Sequence, residues 1–179
     1  MYQAVPTRTN RLDGRTSFAY ACPMRIIVVS DTHGNYPLAV RAIDRAGLAD
    51  HVIHLGDVVD DAVLMEHALG SPVIKVAGNC DLTSTAPKEL CMSFARRNIL
   101  ITHGHRHNVK SGLSQLQLEA RSAQSHVVLY GHTHVASIDE RDGILFVNPG
   151  CFAEACSAKS FAILTITGND IAAEIVPVE

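Results

Sequence analysis

No apolar run in the 179-residue chain approaches the roughly 20 residues that a bilayer-spanning helix needs, so no membrane partner is expected. Lysine and arginine form no basic run, and the formal net charge is −3. The chain therefore lacks the cationic surface on which stable nucleic-acid binding rests. A small phosphorylated substrate stays compatible with this balance, because bound metal supplies positive charge. Cysteine is sparse and arranged without a C-x-x-C pair: Cys22, Cys80, Cys91, Cys151 and Cys156, an odd number. That pattern argues against a disulfide framework and predicts reduced thiols in a cytoplasmic protein, with Cys91, Cys151 and Cys156 as packing residues. No linker or low-complexity segment divides the chain.

What is present reads as an ordinary globular protein, 47% hydrophobic and 18% charged. A chain of this length most often makes one domain and buries about 70% of its unfolded surface. The first stretch, "MYQAVPTRTNRLDGRTSFAYACP", has no strand or helix period, and its apolar patch "FAYAC" is too short for a secretory core. Residues 1–23 read as a loose extension, with Met24 a candidate start, and residues 24–179 as a single domain.

From Arg25 the chain becomes rhythmic. "RIIVVS", "HVIHLG" and "SPVIKVAG" are short apolar runs that read as buried strands. "PLAVRAIDRAG" and "DAVLMEHALG" between them read as helices that stop at Gly47 and Gly70. This alternation predicts a parallel α/β sheet. "ELCMSFA" and "RNILIT" read as a strand pair, and "SGLSQLQLEARSAQ" as an amphipathic helix capped by Ser111. "SHVVLYG" reads as a further strand. Then come two hairpins, one across the Asp-Gly of "SIDERDGILFVNPG" and one across Gly168-Asn169-Asp170. The expectation is an α/β first half and a more antiparallel second half, packed as two sheets with outer helices.

Each predicted strand end carries a metal-capable side chain. "RIIVVSDTH" ends on Asp31 and His33, "HVIHLGD" on Asp57 and "VIKVAGN" on Asn79. "RNILITH" ends on His103, and "HVVLYGHTH" on His132 and His134. Open α/β sheets build their sites outside the carboxyl ends of strands. Two aspartates, one asparagine and four histidines exceed the four ligands of a single zinc and suit two transition-metal ions. So many imidazoles disfavour Mg²⁺ or Ca²⁺. In an extended segment residues i and i+2 share a face, which pairs Asp31 with His33 and His132 with His134. Two cations about 3.5–4 Å apart lower the pKa of a bound water and stabilise attacking and leaving oxygens, which points to phosphate ester hydrolysis.

The ordered motifs "DTH" (31–33), "GDVVD" (56–60), "GNCD" (78–81), "THGH" (102–105) and "GHTH" (131–134) resemble those of the calcineurin-like metallophosphoesterases. Compact size, "GNCD" and "VNPG" (147–150) are similar to the small bacterial and archaeal phosphodiesterase branch. The resemblance implies an α/β (α+β) fold, a four-layer αββα sandwich of two mixed β-sheets flanked by helices. It implies that metal one takes Asp31, His33, Asp57 and His134. Metal two takes Asp57, Asn79, His103 and His132, with Asp57 as the bridge and a bridging hydroxide attacking phosphorus. Catalytic roles fall on Asp57, Asn79 and His105. Asp60 is expected to hold a ligand imidazole, and Cys80 and Asn35 to support the site or touch substrate; Asn35 reads equally as a helix cap.

Two departures stand out. Cys80 replaces the histidine that many larger relatives carry after Gly-Asn, and His105 is the candidate substitute. Cys151 follows "NPG" where the small branch often has serine, and no arginine follows, which leaves Lys159 as the candidate phosphate contact. His54 reads as a core or supporting histidine. Asn148 and Gly150 read as turn-shaping residues near the site.

The implied function is a dinuclear, metal-dependent phosphodiesterase, most readily with Mn²⁺, alternatively Fe²⁺, Zn²⁺ or Ni²⁺. The substrate expected is a small phosphodiester or a nucleotide-like molecule. Two alternatives stay open: a non-catalytic scaffold of the same fold, and a phosphomonoesterase or nucleotide phosphatase. Self-association into a dimer or tetramer is also open.

Overall fold

The run "MRIIVV" forms β1 (Met24–Val29), whose β-branched side chains are buried on both faces. Ile26 and Val28 point between two sheets, while Ile27 and Val29 point outward under helices. This is a computed structural model, which describes residues 22–178. The expectation for the extension thus lies outside the described residues, apart from Cys22 and Pro23.

After β1 come α1 (Tyr36–Ala46), β2 (His51–His54), α2 (Val59–Leu69) and β3 (Val73–Lys75). Then follow β4 (Glu89–Phe94), β5 (Arg97–Thr102), α3 (Ser114–Ser122) and β6 (Val127–Leu129). The chain ends with β7 (Ser137–Arg141), β8 (Ile144–Asn148), β9 (Lys159–Thr167) and β10 (Asp170–Val178). One sheet has the order β10-β9-β1-β2-β3 and the other β4-β5-β6-β8-β7. Side chains of both sheets, among them Ile53, Leu55, Ile99, Ile101, Val147 and Leu164, fill the space between them. Helices α1 and α2 cover the outer face of the first sheet, with Ala39, Ile43, Ala62 and Met65 buried there. Helix α3 covers the second through Leu116 and Ala120. The result is the expected four-layer α/β sandwich.

Both expected hairpins form and the second half is the more antiparallel, but the halves do not correspond to separate sheets. The C-terminal hairpin returns to the first sheet, where β9 pairs antiparallel with β1. In the second sheet β5, β6 and β8 are parallel. Each sheet thus has a parallel core and antiparallel strands at its edge. The hairpin turns are local, and Asp142 and Gly143 both take positive φ as a two-residue turn requires. Which sheet a hairpin joins is a long-range choice that turn chemistry does not encode. Ser111 is no helix cap: it ends a short 3₁₀ turn and donates to Asn108 Oδ1, and α3 starts three residues later. No helix among the described residues is long and apolar enough to cross a membrane.

Candidate metal centre

Five loops meet where the two sheets present their carboxyl ends. They follow β1, β2 and β3 of one sheet and β5 and β6 of the other, all parallel within their sheets. The chain here is not extended. Asp31, His33, Asp57, His132 and His134 have φ of 53°, 44°, 57°, 69° and 60°. The shared facing of i and i+2 therefore comes from left-handed loop residues rather than strand alternation. Such conformations cost about 1–3 kcal/mol each and persist only where surrounding contacts enforce them, as functional sites do.

Two groups of donor atoms result. In the first, ligand atoms of Asp31, His33, Asp57 and His134 all lie within 4.8 Å of one another. In the second, those of Asp57, His103 and His132 do the same. Asn79 Oδ1 joins the second group, 3.1 Å from His103 Nε2. Asp57 faces both: Oδ1 is 3.5 Å from His103 Nε2 and Oδ2 is 3.7 Å from His33 Nε2. All seven side chains are brought together, in two groups that share Asp57.

The arrangement suits cations. His103 Nδ1 donates to the Leu55 carbonyl at 2.9 Å, so in the neutral ring Nε2 carries a lone pair. That lone pair meets Asn79 Oδ1, Asp57 Oδ1 and His132 Nδ1, the last at 3.2 Å. Burial, then the neighbouring His103, push the His132 imidazole down to about 4, so the His132 ring is neutral near pH 7. Across the site Asp31 Oδ1 is fully buried, and His134 Nε2, 3.1 Å away, is too poorly aligned to satisfy it fully yet close enough that the carboxylate raises the pKa of that ring. Burial opposes ionisation of Asp31, but His134, His103 and Ser30 outweigh it and hold the carboxyl below its ordinary value. Acceptors converging on acceptors repel unless positive charge sits among them.

Backbone and side chains hold these donors in place. Asp81 is buried and accepts three N–H groups, from Asp57 at 3.1 Å, Val59 at 2.7 Å and Gly78 at 2.8 Å. It thereby caps α2, whose own cap position, Val58, offers no side-chain bond. Gly56 N–H donates to His54 Nδ1, so His54 Nε2–H donates to Thr32 Oγ1, which donates to Asp61 Oδ2. This relay ties the loop of Asp31 and His33 to that of Asp57. Asn148 Nδ2 donates to the Gly131 carbonyl and to Thr133 Oγ1, which fixes the loop of His132 and His134. Gly78 and Gly131 are glycine because a Cβ there would collide with the Asp57 and Asp31 carboxylates.

Several expectations need correction. Asp60 is exposed, and no imidazole is held by it; the buried carboxylates that support Asp31 and Asp57 are Asp61 and Asp81. The reason is helical phase: α2 starts at Val59 and turns Asp61 inward and Asp60 to solvent. Asn35 makes no side-chain cap; its Nδ2 donates to the Phe152 carbonyl at 2.8 Å. Lys159 is occupied by the carbonyls of Cys156 and Glu154 rather than facing a phosphate. Cys151 and Cys156 are paired as a disulfide, not free packing thiols, because their loop turns back with Cα atoms 6.7 Å apart. Cys22, Cys80 and Cys91 are free.

Cys80 stands beside the centre as expected. Its N–H donates to Asp57 Oδ1, and lost hydration followed by the Asp57 carboxylate push its thiol up to about 11. His105 lies against the second group, its ring centre 5.4 Å from that of His103 and 6.1 Å from that of His132. Burial, then His103, lower its pKa. Asp61, Asp81, Ser30 and the Leu55 carbonyl escaped sequence reading. Only Asp81 left a signal, as the last residue of "GNCD".

Comparison with known proteins agrees with this geometry. Residues 24–169 match the family model of the calcineurin-like phosphoesterase superfamily domain. A probable metallophosphoesterase of Bacillus subtilis is 33% identical over 152 residues, covering 83% of this chain and 88% of the relative. A phosphodiesterase of Methanocaldococcus jannaschii is 33% identical over 144 residues, covering 71% and 83%. Among solved structures, a predicted phosphoesterase from Streptococcus pneumoniae superposes with a TM-score of 0.73 at 26% identity, covering 87% of this chain and 90% of that one. Motif order, layered fold and these matches converge on one statement: the chain belongs to the calcineurin-like phosphoesterase superfamily.

Proposed function

We propose that this metal-dependent phosphoesterase is a dinuclear phosphodiesterase of the cytoplasm, working most readily with Mn²⁺ on a small phosphodiester or nucleotide-like substrate. The observation that carries the reading is Asp57, whose two oxygens face two complete donor groups. Asp31, His33, Asp57 and His134 would hold one cation, and Asp57, Asn79, His103 and His132 the other. When bound, the pair supplies an activated water and positive charge for phosphate oxygens. The mixed oxygen and imidazole donors accept Mn²⁺, Fe²⁺, Zn²⁺ or Ni²⁺.

The chain's own residues do the rest. The Leu55 carbonyl keeps His103 in one tautomer and orientation. His105, neutral and half-buried beside the second group, is placed to stabilise a leaving oxygen. The neutral Cys80 thiol is a weak donor, which favours diesters with good leaving groups over monoesters.

The test is a metal-free preparation reloaded with Mn²⁺ and assayed on an aryl phosphodiester and on the matching monoester. Diester turnover should exceed monoester turnover. Asp57→Asn should lower turnover by more than about a hundredfold, near 3 kcal/mol of barrier. Fully loaded protein without turnover, together with an Asp57→Asn variant of unchanged metal content, would overturn the reading.

A further inference from the structure

One cluster beside the centre has no part in the function proposed above. Cys151 is fully buried, Cys156 is half-buried, and they are joined across a sequence separation of five. Their Cα separation of 6.7 Å lies within the span of a disulfide. The loop they close is anchored to metal one at three points. Phe152 and Ala153 donate their N–H groups to the Asp31 carbonyl at 3.2 and 3.1 Å. Asn35, four residues beyond Asp31, donates to the Phe152 carbonyl. Cys156 Sγ lies 3.6 Å from His134 Nδ1, the ring nitrogen opposite the one that faces Asp31.

We propose that Cys151 and Cys156 are a reversible thiol–disulfide pair that sets which cation Asp31 and His134 hold and how tightly. The proposal rests on the reading of metal one given above. The oxidant is a low-molecular-weight disulfide, with oxidised glutathione as the probe. Cys156, the more accessible thiol, attacks it and releases one glutathione thiol, forming a mixed disulfide. Cys151 then attacks Cys156 Sγ and releases the second. Two protein S–H bonds are lost and one S–S bond forms. The two protons pass to the two glutathione thiols, and the glutathione disulfide is reduced.

Both consequences act on the same two ligands. The closed bridge fixes the loop that grips the Asp31 backbone. It also ties up two soft donors beside His134. In the bridged structure a ring nitrogen of His134 and the two sulfurs already lie within 4.8 Å of one another, so opening the bridge would free both sulfurs as donors beside that ring. Two thiolates and an imidazole select Zn²⁺ over Mn²⁺ and compete with Asp31 for His134. The closed form therefore favours Mn²⁺ at metal one, and the open form favours Zn²⁺ spanning the thiols.

The experiment equilibrates the full chain in glutathione redox buffers and maps the 151–156 bridge by peptide mass spectrometry. Mn²⁺ and Zn²⁺ are then titrated into the oxidised and reduced forms. The expected result is Mn²⁺ binding at least tenfold tighter in the oxidised form and an additional Zn²⁺ equivalent in the reduced form. Cys156→Ser and Cys151→Ala should each hold Mn²⁺ at the weaker, reduced value whatever the buffer. A bridge that forms while the two forms bind Mn²⁺ within twofold of each other overturns the proposal. So does failure of the bridge to form at any glutathione ratio. Absence of Mn²⁺ binding in both forms is a separate outcome: it overturns the metal-centre reading and this proposal with it.

Discussion

His103 is pinned by the carbonyl of Leu55, which accepts its Nδ1–H at 2.9 Å and leaves Nε2 facing Asn79, His132 and Asp57. One backbone oxygen thus decides which nitrogen can serve as a ligand. Because His103 belongs to the second donor group alone, His103→Ala should lower bound Mn²⁺ from two equivalents to one. Diester turnover should fall by more than about a hundredfold. Two equivalents retained in the variant, by elemental analysis, would remove His103 from the ligand set.

Asp81 collects the N–H groups of Asp57, Val59 and Gly78, so it would act on bound cations through the loops that carry Asp57 and Asn79 rather than by touching them. Asp81→Asn keeps the shape and removes one acceptor oxygen. Mn²⁺ affinity should drop by about 10–100-fold, the usual cost of losing a group that orients ligands. Asp60→Ala, changed at an exposed position one residue from the buried Asp61, should stay within twofold of the parent. Equal effects of the two variants would argue against this assignment.

The close packing at Gly131 makes a sharper steric test. A Cβ there would sit 2.8 Å from Asp31 Oδ2 and closer still to Ser30 Oγ. Gly131→Ala should destabilise the fold by about 1–3 kcal/mol and weaken Mn²⁺ binding. Denaturant melts alongside metal titration check both. An unchanged Mn²⁺ affinity would mean that the Asp31 carboxylate can move aside without losing its role.

His54 makes stability depend on pH. It is fully buried and lowered to about 4, first by burial, and its Nδ1 already accepts the Gly56 N–H. A proton on Nδ1 would face that N–H. The folded pKa lies below the unfolded value of about 6.5, so the stabilisation is complete above pH 6.5 and is lost as pH falls toward 4. The loss should reach about 3 kcal/mol near pH 4, since each pH unit between the folded and unfolded pKa is worth about 1.36 kcal/mol. Urea unfolding of chelated protein at pH 7 and pH 4.5 should show a decline that His54→Gln lacks. Parallel curves for the two proteins would sink the idea.

Legibility in the sequence followed the range of the interaction. Strand–helix alternation from β1 to β3, the Asp142-Gly143 turn and the stops at Gly47 and Gly70 are local, and each was readable from its own residues. All seven donor residues of the candidate centre were readable for a related reason: each lies at the end of an apolar run, and their order matches a family pattern. Asp61 was not readable. Only the phase of α2 separates it from Asp60, and that phase depends on a helix start capped from Asp81, 22 residues beyond Val59.

The sequence by itself determined the donor inventory and the layered architecture, because strand ends and apolar runs are written in neighbouring residues. Tertiary structure alone decided three things. It placed the C-terminal hairpin beside β1. It chose the Leu55 carbonyl to orient His103. It also brought the Cys151–Cys156 pair against His134. Each is a contact made by packing across the interior, where geometry rather than residue type selects the partner.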